Sequence, residues 1–498
     1  MKIKNNDLFI ITGIVLLSLA FRLYAFFNTS VINPDGVHYI NQARALFNND
    51  WETAKNCGFD FISLYHLMIP LCYRLLGDWI YAGQSISIFF GTISVIPFYF
   101  TLRRFFSVST SMTAGLAFAV NPFFVSYSVE LVKDPLFWFF ALLGMYFLMF
   151  AVKKDKLYLL PFSSAAFLLA GFARFEVLIY FAGSIIYILL FEEKKLKKLL
   201  FFTMPAIVLV ALGIVLNVFF PQEKLNLWTL YFLPRTQHFF HYYFESLMDP
   251  DILIKSVAVL KLFIYRTAKV IYLPYLPIFL IGLFSMKSEL GREKRFRYFI
   301  LLSFISIIAL YFFYMKIQVL SPRYAVFFIL PAYIFICFGI ERIVQLGTKK
   351  GIRERSIILF ICLYIIFAVV VSPANVLPRK SEKVIYKTAG EYIAKIENNR
   401  STIIMAPDTR IMFYANLNSP VIECGNKLMK YDALIKMNYQ DMAHFLKTNN
   451  VEYFLWEAKA WEDAGYDFLT AIDPAQFREL MRWDSEQGRL ILFKVMHR

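Results

Sequence analysis

The chain has 498 residues, 59% of them hydrophobic and 18% charged, against globular norms of about 45–50% and about 25%. That balance, with 55 phenylalanines, excludes disordered, collagen-like and small disulfide-scaffold proteins, and a soluble fold could not bury so much apolar surface. The net charge of +16 lies almost wholly in the hydrophobic part, since 17 basic residues face 16 acidic ones from Leu377 onward; it reads as membrane orientation and not as a nucleic-acid footprint.

A spanning helix needs about 20 mostly apolar residues. Runs of this kind lie near 8–27, 80–102, 111–128, 135–152, 157–173, 177–191, 199–220, 268–286, 298–315, 324–341 and 356–374. They predict an all-α polytopic membrane protein with about eleven spans. The first run is long, keeps Arg22 near its outer end and lacks a small-x-small cleavage site, so it reads as an uncleaved span. With the N-terminus in the cytoplasm, that terminus and every second loop hold 21 Lys and Arg. The short loops of the other side hold only Lys133, Arg174, Lys316 and Arg323. This is the positive-inside pattern, and an odd number of spans then places 376–498 outside.

The outer segments have structure of their own. In 28–79, Asn33-Pro34-Asp35 reads as a helix start, and Ile40, Ala43 and Phe47 follow at helical spacing. A second amphipathic stretch covers 60–76, and both stretches are expected along the membrane surface. Segment 221–267 is rich in Tyr, Phe and His, with His238 and His241 read as interfacial. In the tail, Val384, Ile385, Ala389, Tyr392, Ile393 and Ile396 form a helical stripe. Strand-like runs follow at 402–406, 411–415, 451–456 and 489–495, with a helix at 439–449, so the tail reads as a small extracytoplasmic α/β domain. Cys57 and Cys72 share an outer segment and could pair, which would leave Cys424 over; Cys337 and Cys362 lie in spans. There is no phosphate-cradling Gly loop, which disfavours a nucleotide-driven enzyme, and no metal-like Cys/His spacing.

Ionisable residues near hydrocarbon are costly, and here they collect at the outer ends of spans. Asp35 opens a helix whose dipole favours the carboxylate, and a carboxylate held there can take a proton from an acceptor; Tyr39 lies one turn on. The plain alternative is a helix-start residue. Glu130, Lys133 and Asp134 share the loop between spans three and four, or simply solvate it. Arg174 and Glu176 stand between spans five and six, where they could pair with each other. Ser321-Pro322-Arg323-Tyr324 opens span ten, and Arg323 could hold a phosphate bidentately or merely snorkel. Arg266 and Lys269 could add to an anion site. Acid for proton transfer and base for phosphate, on one face, suggest a reaction on a lipid-linked phosphate.

These residues and their order resemble the C-type, lipid-dependent integral-membrane glycosyltransferases (the GT-C fold), in particular the protein O-mannosyltransferase-like enzymes and the aminoarabinose transferases of lipid A. The resemblance covers roughly 8–375. It is carried by Pro34-Asp35-Gly36-Val37-His38-Tyr39, by Asn121-Pro122 with Glu130 and Lys133-Asp134-Pro135-Leu136, by Gly171-Phe172-Ala173-Arg174-Phe175-Glu176, and by Ser321-Pro322-Arg323-Tyr324 with Pro331. It implies transfer of a sugar from a polyprenyl-phosphate carrier to a protein, lipid or glycan acceptor. Asp35 takes the role of base or acceptor-positioning acid. Many members place Glu next; Gly36 stands there, so a second carboxylate would come from Asp134 or Glu130. Arg174 and Arg323 become carrier-phosphate contacts, assisted by Arg266 or Lys269, with Tyr39, His38, Lys133, Glu176 and Tyr324 beside the substrates. No cofactor or metal is implied by the motifs. The expected location is the cytoplasmic membrane. Two other readings are a secondary transporter or lipid-linked sugar flippase, disfavoured by the lack of repeated halves, and a non-catalytic binding subunit on the same scaffold.

Overall fold

A computed structural model describes residues 5–57, 59, 61–219, 252–317, 321–371, 384–419, 431–462, 464–485 and 488–497. His238, His241 and Cys424 lie outside the described residues. The chain folds into two compact units. One comprises Met1–Phe26, Ser63–Tyr65 and Gln84–Pro378; the other comprises Phe27–Ile62, His66–Gly83 and Arg379–Arg498.

The first unit is helical, and each of the eleven apolar runs is found in it. Among the described residues seven helices are long and apolar enough to cross a membrane: Asn5–Phe27, Trp79–Leu102, Asp134–Lys154, Lys195–Val215, Leu273–Arg292, Lys294–Met315 and Glu354–Val371. Two further runs are bent helix pairs, and two are the shorter apolar helices Leu157–Ala173 and Phe175–Phe191. Large apolar side chains such as Phe9, Phe284 and Phe360 stand exposed along these helices. In water that surface would drive aggregation, so this is a multi-pass membrane protein.

Both bends have a local chemical cause. The pair Val108–Val120 and Pro122–Ser128 turns by 49°. Pro122 has no N–H, and the Phe123 N–H goes to Asn121 Oδ1 at 2.9 Å instead of continuing the ladder. The carbonyl of Ala119 is then taken by the buried Arg22, whose Nη1 donates to it at 3.1 Å. Pro322–Ala332 and Ile334–Lys349 meet at 51°. Pro331 leaves the carbonyl of Phe327 without its helical partner, and the Tyr180 hydroxyl donates to that carbonyl. The helix Ile252–Ile271 was not foreseen, because Lys255, Lys261, Arg266 and Lys269 interrupt its hydropathy. It ends at Tyr272, which has φ 77°. Asn121 Nδ2 donates to its last carbonyls, those of Val270 and Ile271, at 3.1 and 3.2 Å.

In the second unit the helix Pro34–Phe47 starts where Asn33-Pro34 predicts, although Asn33 makes no side-chain cap bond. Leu64–Leu76 is the second amphipathic helix. The tail holds a four-stranded sheet, β1 (Ile404–Met405), β2 (Tyr453–Glu457), β3 (Phe477–Ser485) and β4 (Gly488–Val495), in the order β1-β2-β4-β3. β1 runs parallel to β2, and the other pairs are antiparallel. Alternate residues of β2 enter opposite cores: Phe454 and Trp456 join Met442, Leu446, Phe468 and Phe493, while Tyr453 and Leu455 join Ala389, Ile393 and Ile411. The run 411–415 is not a strand but part of the helix Thr409–Asn416. Asp408 caps it by accepting from Arg410 N at 3.0 Å, and Ile411 and Ala415, one turn apart, enter the same core. β3 was missed because it is a largely exposed edge strand with little apolar pattern. Three bonds tie the segment after the first span to the tail: Ile32 N to the Tyr414 hydroxyl at 3.0 Å, Arg44 to the Ser419 carbonyl, and Lys387 to the Ser30 carbonyl at 3.2 Å. Cys57 is disulfide-bonded and Cys72 is in no disulfide, so these two do not pair.

Candidate active site

In the first unit, span-end residues converge on Arg174. Asp134 opens the helix Asp134–Lys154, with Lys133 at the cap position and Pro135 in the first turn. Arg174 follows the helix Leu160–Ala173 in extended backbone, φ −142° and ψ 116°, before the short turn Phe175–Val177. Its Nη1 donates to the Asp134 carboxylate and its Nη2 to Glu176 Oε1 at 2.7 Å. The guanidinium also lies 5.0 Å from the ring centroids of both Tyr324 and Phe327. Arg174 is 4% exposed and Asp134 1% exposed, so this pair is held out of water and depends on its geometry. The Nε–H of Arg174 has no partner among the described residues.

Other expected residues join this neighbourhood. Lys133 is buried and acts electrostatically on Glu176. The Tyr127 hydroxyl hydrogen-bonds with the Ser321 side chain, within electrostatic reach of Glu130, Asp134 and Arg323. Tyr314 is fully buried within reach of Tyr324, Arg174 and Arg266. Arg266 is half-buried, its Nε–H has no partner among the described residues, and Lys269, one turn on, is exposed. The spans therefore gather Glu130, Lys133, Asp134, Arg174, Glu176, Arg266, Arg323 and Tyr324 around charged and phenolic donors suited to an anion.

The remaining three expected residues stand on the helix Pro34–Phe47 of the second unit. Asp35 is half-buried in its first turn. His38 packs edge-on to Phe59 at 5.2 Å. Burial pushes its imidazole below the usual range, and the Asp35 charge opposes that shift. Tyr39, 2% exposed, lies between Phe59 at 5.1 Å and His66 at 5.0 Å. Gln42 pins the following segment by donating to the carbonyls of Ala54 and Phe59 at 2.9 and 2.8 Å. The helix face bearing Asp35 thus rests on a tightly bonded local fold.

The chain has counterparts among solved structures. ArnT from Cupriavidus metallidurans bound to undecaprenyl phosphate superposes with a TM-score of 0.60 at 14% identity, over 97% of this chain and 98% of that one. The archaeal oligosaccharyltransferase AglB from Archaeoglobus fulgidus, in complex with an inhibitory peptide and a dolichol-phosphate, gives 0.56 at 11% identity, over 97% and 73%. This is a GT-C fold. Residues 64–219 also match the family model of dolichyl-phosphate-mannose-protein mannosyltransferases. That stretch contains Asn121-Pro122, Lys133-Asp134-Pro135 and Arg174-Phe175-Glu176, which carried the GT-C resemblance in the sequence. No curated protein sequence matches the chain.

Within this GT-C scaffold the sequence reading missed Tyr127 and Tyr314 as parts of the site. Both stand in aromatic-rich runs where a phenol looks like one more apolar residue. Their location near the ends of spans three and nine was the available signal.

Proposed function

We propose that the protein transfers a sugar from a polyprenyl-phosphate carrier to a protein, lipid or glycan acceptor at the outer face of the cytoplasmic membrane. Its N-terminus is cytoplasmic and its tail domain extracytoplasmic, as the basic loops require. The observation that carries the reading is the gathering of Arg174, Arg266 and Arg323 with Asp134 and Tyr324 at span ends in a GT-C fold. The carrier phosphate lies against Arg323, Arg266 and the Nε–H of Arg174, with Lys269 assisting. Asp134 and Glu176 orient Arg174 so that its guanidinium needs no reorganisation as charge develops on the leaving phosphate. Asp35 acts as base: the acceptor gives it a proton and attacks the anomeric carbon, and the carbon–phosphate oxygen bond breaks to release polyprenyl phosphate. The second carboxylate is supplied by Asp134 or Glu130.

A transfer assay tests this. Purified protein receives radiolabelled polyprenyl-phosphate mannose, glucose or aminoarabinose with a membrane acceptor extract, wild type beside Asp35→Asn. The expected outcome is release of polyprenyl phosphate by wild type and a loss of at least about 100-fold in Asp35→Asn. An active Asp35→Asn protein removes Asp35 from the role of base. Donor binding without release by wild type would favour a flippase.

A further inference from the structure

Buried tyrosine hydroxyls normally have partners. Among the described residues, the fully buried tyrosines of the membrane unit follow that rule with two exceptions. Tyr65 bonds Ser87, Tyr99 bonds Asp7, Tyr180 bonds the Phe327 carbonyl, Tyr187 bonds Glu192 and Tyr298 bonds Ser184. The hydroxyls of Tyr275 and Tyr314 have none among the described residues. Tyr275 stands among other tyrosines, Tyr272, Tyr333 and Tyr364. Tyr314 instead stands within electrostatic reach of two guanidinium groups, Arg174 and Arg266, each of which has an Nε–H without a partner among the described residues. Its ring lies 6.1 Å from that of Phe263, centroid to centroid.

Three donors without partners in one neighbourhood, two of them cationic, match the acceptor oxygens of a phosphate. We propose that the Tyr314 hydroxyl is a phosphate-binding group that donates a hydrogen bond to the lipid-linked phosphate beside Arg174 and Arg266. The inference rests on the carrier-phosphate site proposed above. A hydrogen bond to a charged group contributes enough that its loss weakens binding roughly tenfold or more.

The test is binding of polyprenyl phosphate to the full-length protein in detergent, with inorganic phosphate as a second probe. Wild type, Tyr314→Phe and Arg266→Gln are compared, and the thermal midpoint of each is recorded. Phenylalanine keeps the ring and its packing, so Tyr314→Phe should unfold at the wild-type temperature or higher while binding polyprenyl phosphate about tenfold more weakly. Equal binding by Tyr314→Phe, with Arg266→Gln impaired, overturns the role of Tyr314 and leaves the phosphate site standing. No binding by wild type overturns both. Weakened binding of inorganic phosphate with unchanged binding of the lipid overturns the assignment to the lipid headgroup.

Discussion

Arg174 shows what a single side chain does in this protein. It satisfies Asp134 and Glu176 while stacking against Tyr324 and Phe327. Removing one member of a buried ion pair leaves the other charge uncompensated, at a cost of about 3–5 kcal/mol. Arg174→Met should therefore lower the thermal midpoint sharply, whereas adding Asp134→Asn should restore part of the loss. A double-mutant cycle measured by thermal unfolding in detergent checks this; additive effects would show that the two groups do not depend on each other. The pairing of Arg174 with Glu176 was legible in the sequence as a local possibility. Its pairing with Asp134, 40 residues earlier, was not, because nothing in either motif states that spans four and five end side by side.

Among the elements, the crossing of Leu276–Arg292 with Ile334–Lys349 is set by two glycines. A Cβ at Gly282 would stand 1.7 Å from the Phe335 carbonyl oxygen, and one at Gly339 would stand 2.0 Å from that of Ile278. Backbone cannot yield as a side-chain tip can, so any larger residue must separate the helices. Such close approach is how helices associate inside a bilayer, where apolar burial no longer distinguishes protein from lipid. Gly339→Ala should cost about 1–3 kcal/mol, read as a lower thermal midpoint, while Gly213→Ala, with open space around it, should leave the midpoint unchanged. Equal effects at both positions would contradict the close packing. The two bends belong to this scale too. Pro122 and Pro331 could be read from the sequence as breaks, but the groups that absorb the freed carbonyls, Arg22 and Tyr180, come from other spans.

Across the whole molecule, the tail is assembled by links between distant parts of the chain. Glu397 accepts from Tyr453 and from Lys494 at 3.1 Å and pairs with Arg400 at 3.0 Å. The Tyr453 hydrogen bond, then Lys494 and Arg400, hold its carboxyl down to about 2. A carboxyl with a lowered pKa in the folded state stabilises fully above its unfolded value, about 4.3, and that contribution is lost as pH falls towards 2. Tail stability should therefore decline between about pH 4.3 and about 2, and Glu397→Gln should flatten that decline. Thermal unfolding of the full chain across this range, followed by tail tryptophan fluorescence, measures it; an unchanged acid limb in Glu397→Gln would discount these links.

The places of the apolar helices, the sided charge pattern, the helix start at Asn33-Pro34 and the strands β1, β2 and β4 were all determined by the amino-acid sequence itself. Each depends on local quantities: hydropathy over one bilayer thickness, the missing N–H of proline, the period of a strand. The tertiary structure alone decided the rest. It made 411–415 a helix, because an apolar run of five residues has no period until a core selects one face. It made Ile252–Ile271 a packed helix despite its charges, and it recruited Tyr127 and Tyr314 to the charged cluster. The physical reason is common to all three: a residue's solvent, partner and charge environment come from segments far away in the chain, and those are set only when the spans pack.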